Sequence, residues 1–303
     1  MPQDGRETER RFLVASMIAA GALGALGVVW GIVSGSQMIL LDGVYSFVGI
    51  VLSGLLLWAS AVSDRRATRR FQYGMAAATP LAITIQAFVL LATLLYAAVE
   101  AIYTVRDGGS AVPAGWGIAY GVVVAVACVA VTASMQRGAG HSDLLISEAA
   151  AWKVSAWRGA GMVLGFAVLG LLAGSRWSSM APYVDPAMVI LSCVLLLPSP
   201  LGMLRGTVGE LLEAAPSETI SDAIRSAVRA VEAEFDLDEP DLYTSKLGSR
   251  LYVELNSTAA PDVTISQEHA VRESMQRRLE ALPYDVWLTV ELLPRAAADD
   301  ERA

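Results

Sequence analysis

Six ionisable side chains interrupt long apolar stretches of this sequence: Asp42, Glu100, Glu148, Lys153, Arg158 and Asp185. Charge at the depth of a lipid bilayer is costly, so each is a candidate for ion binding, proton transfer or an internal ion pair. Asp42 stands in LLDGVYSFVG, with Ser46 and Gly49 at i+4 and i+7 on the same helical face. Glu148, Trp152 and Ser155 repeat that spacing in SEAAAWKVSAWRG. Two helices thus each present a polar stripe, and a common cavity can join them. The chemistry would be cation or proton binding at Asp42, assisted by Ser46, Glu148 and Ser155. The structural alternative is an ion pair in which Arg158 or Lys153 neutralises Asp42. The Lys153 stem can snorkel toward the interface; Arg158 lies one helical turn deeper.

The remaining polar residues suggest less. Asp185 precedes Pro186 and reads as a helix-terminal acid opening the last apolar run. Glu100 reads as an interfacial acid. His141 and His269 are far apart in sequence, and Cys128 and Cys193 lie in apolar runs, so no spacing suits a structural zinc site or a disulfide framework. There is no GxxxxGK[ST] loop to cradle ATP phosphates. Net charge is −8, with the surplus acid after residue 209, which excludes the basic stripe a nucleic acid would need. No nucleophile is paired with a base, so an enzyme is not expected.

The elements that must position these residues follow from hydropathy. Of 303 residues, 54% are hydrophobic and 17% charged, against about 25% charged in an ordinary soluble domain. The apolar excess lies in blocks long enough to cross a bilayer, at 12–34, 37–63, 77–105, 112–135, 143–174 and 183–204. Breaks such as Ser34-Gly35-Ser36 and Asp107-Gly108-Gly109 carry turn chemistry. Arg6, Arg10, Arg11, Arg65, Arg66, Arg69, Arg70, Arg137 and Arg205 fall in alternate connections; the others hold Arg106 and Arg176. That asymmetry places both termini in the cytoplasm, at an inner, multi-pass membrane, and an even count of six spans agrees. Gly27, Gly31 and Gly35 recur every four residues in the first span, a signal for close helix packing in lipid.

Residues 1–208 therefore form a six-helix transmembrane domain and 209–303 a cytoplasmic one. In the latter, Ser217 to Phe235 predicts an amphipathic helix capped near Ser217 and Glu218. Leu242–Lys246 and Arg250–Asn256 predict a hairpin across Gly248-Ser249. Thr264 to Leu282 predicts a second helix and Asp285 to Leu293 a third strand. The order α-β-β-α-β gives an α+β, ferredoxin-like layer pair.

These features resemble the cation diffusion facilitators, or cation efflux proteins, over nearly the whole chain. The matching segments are LLDGVYSFVGIVLS, RRFQYGMAAATPL, SEAAAWKVSAWRGAGMVLGF, PYVDPAMVI and GELLEAAPSE. The resemblance implies proton-coupled antiport of a divalent metal cation out of the cytoplasm, by a homodimer joined through residues 209–303, without ATP. It also implies four central ligands, two from span two and two from span five. Asp42 matches the first and is the metal-ligand position retained; Ser46 holds the second, and Ala151 and Ser155 hold the span-five positions. One carboxylate and two hydroxyls make a poor divalent site. A transport-inactive homologue, with Asp42 neutralised by Arg158 and a structural or sensing role as a dimer partner, is therefore the competing expectation.

Overall fold

The computed structural model describes residues 3–63, 67–138, 143–259 and 263–294. Arg65, Arg66 and His141 lie outside them. The chain divides into two compact units: Met1–Gly54 with Gln86–Leu201, and Leu55–Ile85 with Gly202–Ala303.

The apolar runs form α1 (Gln3–Ser34), α2 (Gln37–Ser63), α3 (Ala78–Arg106), α4 (Ala114–Gly138) and α5 (Asp143–Ala173). The sixth run is not one unbroken helix. A 3-10 turn at Ser178–Tyr183 leads into α6 (Val184–Leu196), and α7 (Pro198–Leu211) follows. Pro198 lacks the backbone N–H that would continue the ladder, while Leu197 stays helical at φ −55°, ψ −39°. Among the described residues, six helical segments are long and apolar enough to cross a membrane. Their outward residues are apolar too: Phe47, Trp58, Phe88, Leu95, Leu164 and Leu171 are all exposed. At most 33% of any span's most apolar window is buried, so an apolar solvent must cover the rest.

Within the first unit the core joins Ile39 of α2, Tyr120, Val124 and Cys128 of α4, and Trp152, Met162 and Phe166 of α5. Small residues set the helix spacing. A Cβ on Gly27 would lie 2.7 Å from the Gly43 Cα, and one on Gly31 would lie 2.6 Å from the Leu40 Cα. The α1–α2 backbones meet through Gly27, Gly31 and Gly43. Gly35, expected on the same face, instead makes the α1–α2 turn at φ +68°, with nothing near its missing side chain. That left-handed conformation is one glycine adopts without steric cost.

Asp185 opens α6 as expected, but its carboxylate caps a different helix. It accepts hydrogen bonds from the Ser36 hydroxyl (2.6 Å), the Gln37 N–H (3.0 Å) and the Met38 N–H (3.4 Å), the start of α2. Ser36 in turn accepts from the Ile39 N–H at 3.2 Å. A fully buried acid is therefore held by otherwise orphaned helix N–H groups.

The C-terminal domain within the second unit has the expected order: α8 (Glu218–Phe235), β1 (Asp241–Leu247), β2 (Arg250–Ala259), α9 (Ile265–Leu279) and β3 (Asp285–Pro294). β1 and β2 pair antiparallel from Leu247↔Arg250, and β2 pairs parallel with β3 from Arg250↔Asp285. The hairpin turn takes Gly248 at φ +60°, the sign two-residue hairpins favour. Alternation in β2 sends Leu251, Val253 and Leu255 into a core with Ile224, Val228 and Val231 of α8 and Val271, Met275 and Leu279 of α9. Ser217 is the α8 N-cap residue, but its side chain makes no capping bond, whereas Thr264 and Gln267 form a full capping box on α9. Elsewhere in this unit, Glu210 of α7 accepts from Lys246 Nζ at 2.6 Å and from the Gly248 N–H at 3.1 Å.

Two outcomes test this fold. Gly43→Leu drives a side chain into the α1 backbone and should cost about 1–3 kcal/mol or more. A Cβ on Gly49 meets nothing within 4 Å, so Gly49→Ala should not lower the melting temperature of the detergent-solubilised protein. Glu234 bonds Arg278 and Ser274, and those bonds hold its carboxyl below its ordinary value of 4.5. Its contribution is present above pH 4.5 and is lost as pH falls through the lower folded value. Hydrogen exchange in α8 and α9 should rise more steeply on acidification in the wild type than in Glu234→Gln.

Candidate functional site

The close approach of Gly27 to Gly43 brings the preceding residue of α2, Asp42, toward the bundle interior. Its side chain is 10% exposed. One carboxylate oxygen lies 3.2 Å from Arg158 Nη2, and the other accepts the Tyr120 hydroxyl at 2.9 Å. Three helices, α2, α4 and α5, thus converge on one carboxylate. Arg158 approaches Asp42 through a terminal nitrogen, while its Nε is buried without a hydrogen-bond partner. The contact is therefore not the bidentate fork that holds the strongest Arg–carboxylate pairs.

Beside this pair lies a cavity of about 200 Å³. Asp42, Ser46, Glu148, Ser155 and Arg158 all line it, together with Tyr120, Cys128 and Trp152. All four expected ion-binding residues and one of the two expected charge partners share a single space. Lys153, the other, is exposed and does not line the cavity. It neighbours Trp152 in sequence, and a one-residue step on a helix turns a side chain by about 100°. Glu100 is exposed on α3, in keeping with an interfacial acid, and His269 is an exposed residue of α9 beside Glu273.

Glu148 is held separately. The Ser16 hydroxyl donates to Glu148 Oε1 at 2.7 Å, and Ser16 accepts from Trp152 Nε1 at 2.7 Å. Ser16 is 3% exposed. Glu148 and Arg158 stand on the same helix, ten residues apart, a rise of about 15 Å. The cavity thus has an Asp42–Arg158 end and a Glu148 end, with Ser155 between them along α5. Among the described residues, no group of three or more His, Cys, Asp and Glu side chains could hold a metal ion.

Sequence spacing found the α2 and α5 stripes but missed Tyr120 and Ser16. Each is a hydroxyl inside an apolar span, a weak signal, because hydroxyls often bond their own helix backbone, as Thr132 does to the Cys128 carbonyl.

Residues 13–212 match the family model described as the cation efflux transmembrane domain. The chain belongs to the cation efflux family. The match covers the six spans and includes every residue of the cavity. This is a family of transporters rather than enzymes, and the chain is a multi-pass membrane protein of that kind.

Removing one partner of the Asp42–Arg158 pair should be costly. Asp42→Asn leaves Arg158, whose side chain is 36% exposed, without its counter-charge and should destabilise the protein, by less than the roughly 3–5 kcal/mol of a fully buried pair. Adding Arg158→Gln should recover part of that loss, which a double-mutant cycle of thermal unfolding in detergent would measure. Ser16→Ala leaves Trp152 Nε1 unpartnered and should cost about 1–3 kcal/mol.

Proposed function

We propose that this chain exports a cation from the cytoplasm in exchange for protons, through the cavity between Asp42 and Glu148. The observation that supports the reading is that Asp42, Ser46, Glu148, Ser155 and Arg158 line one open space of about 200 Å³. In this reading Asp42 is the exchanging group: it releases Arg158 when a cation or proton arrives and takes it back when the cargo leaves. The single-nitrogen contact and the unpartnered Arg158 Nε suit an arm that lets go. Tyr120 holds Asp42 in position meanwhile. Ser46 and Ser155 supply hydroxyl oxygens, and Glu148, fixed by Ser16, is the second carboxylate of the path.

The arginine bias of the loops supports an inner-membrane orientation with both termini cytoplasmic. Residues 1–208 act as the transport domain. Residues 209–303 act as the cytoplasmic domain through which two copies pair as a homodimer.

A second reading rests on the 3.2 Å approach of Arg158 to Asp42. There Arg158 permanently occupies the cation's place, and the chain is a transport-inactive partner or sensor. Everted membrane vesicles separate the two. Under the transport reading, adding cations to vesicles holding an imposed pH gradient dissipates it, and Asp42→Asn reduces that response to background. If wild type and Asp42→Asn both match vesicles lacking the protein for every cation tried, the inactive reading stands.

A further inference from the structure

The charges lining the cavity do not sum to what a divalent ion needs. Asp42 and Glu148 contribute one negative charge each when ionised. Arg158 contributes a positive charge that no accessible pH removes. The other titratable groups on the wall are the Tyr120 phenol and the Cys128 thiol, which are neutral near pH 7. Lys153 faces elsewhere. With both carboxylates ionised, the cavity carries a net charge of about −1, counted from side-chain charges at neutral pH.

From this balance we propose that the cargo is a monovalent hard cation of the alkali type, and that Arg158 is the residue that sets this class. The proposal rests on the reading that this cavity is the cation path. The bundle around the cavity is apolar, so uncompensated charge inside it is costly whichever its sign. One monovalent cation brings the cavity to neutrality. One divalent cation leaves a positive charge beside a guanidinium that cannot leave the protein. Exchange of one monovalent cation for one proton keeps the charge of the loaded cavity constant through the cycle.

Donor chemistry agrees. The wall offers oxygen from two carboxylates and from the Ser46, Ser155 and Tyr120 hydroxyls, with a single thiol, that of Cys128, and no imidazole among its lining residues. Oxygen donors suit hard cations of either charge, whereas zinc favours a set of imidazole and thiolate ligands; the charge balance is what selects the monovalent class. Glu148 lies at the end away from Arg158 and is fixed by Ser16 rather than by a cation. Because Arg158 offsets one of the two carboxylates at every step, one negative charge is left for the cargo whichever carboxylate it meets.

The test is flux into proteoliposomes carrying the full chain, with sodium, potassium or rubidium as monovalent probes and zinc or manganese as divalent probes. Wild type should favour the monovalent probes by at least about tenfold, the ratio given by a difference of ~1.4 kcal/mol. Arg158→Gln makes the cavity doubly negative and should gain divalent flux, while Arg158→Lys should keep the monovalent preference. Divalent flux in wild type equal to or above the monovalent flux overturns the cargo class and leaves the transport reading intact. Flux of neither class above protein-free liposomes overturns both. The wild-type comparison decides the matter even if Arg158→Gln fails to fold.

Discussion

A carboxylate and a guanidinium face one another at 3.2 Å inside a bundle whose outer surface is apolar. Much of the first unit serves that contact. Neither charge would be tolerable alone at that depth, so α2 and α5 must be held in a register that keeps them together. The Gly27–Gly43 approach sets the distance between α1 and α2 next to Asp42 itself. Tyr120, 1% exposed, brings α4 to the same carboxylate. The space left beside the pair is the cavity, and because the pair itself sums to zero its net negative charge comes from Glu148.

A second buried acid shows the same economy at the other turn of the bundle. Asp185 is fully buried yet makes no ion pair among the described residues; it is held by the Ser36 hydroxyl and two backbone N–H groups at the start of α2 and by the Ser110 hydroxyl between α3 and α4. The two carboxylates are accommodated by different means, one by a fixed cation and one by a helix terminus. Asp42 lines the cavity described above. This difference in surroundings, rather than residue type, separates a structural acid from one that can exchange its partner.

The C-terminal domain was readable because its sequence obeys two simple periods. Ile220, Ile224, Val228 and Val231 recur at helical spacing, and Leu251, Val253 and Leu255 alternate. Each set faces one core. Its hairpin was legible from Gly248, whose φ of +60° an L side chain rarely adopts. The break at Pro198 was less so, because hydropathy runs on unchanged through Leu195-Leu196-Leu197 and hides the missing donor.

Sequence alone determined the number of spans, the α-β-β-α-β order and the two polar stripes of α2 and α5, because hydropathy and side-chain period are local properties of the chain. It left open whether Lys153 or Arg158 would meet Asp42, since both lie on α5 within reach of a turn. Tertiary structure decided for Arg158: helix rotation turned Lys153 outward and Arg158 toward α2. It also decided that Asp185 caps α2 rather than its own helix, that Gly35 makes a turn, and that Ser16 and Tyr120 hold the two carboxylates. Those pairings join residues from 78 to 149 positions apart. No local pattern encodes such contacts; they exist only once the helices have packed.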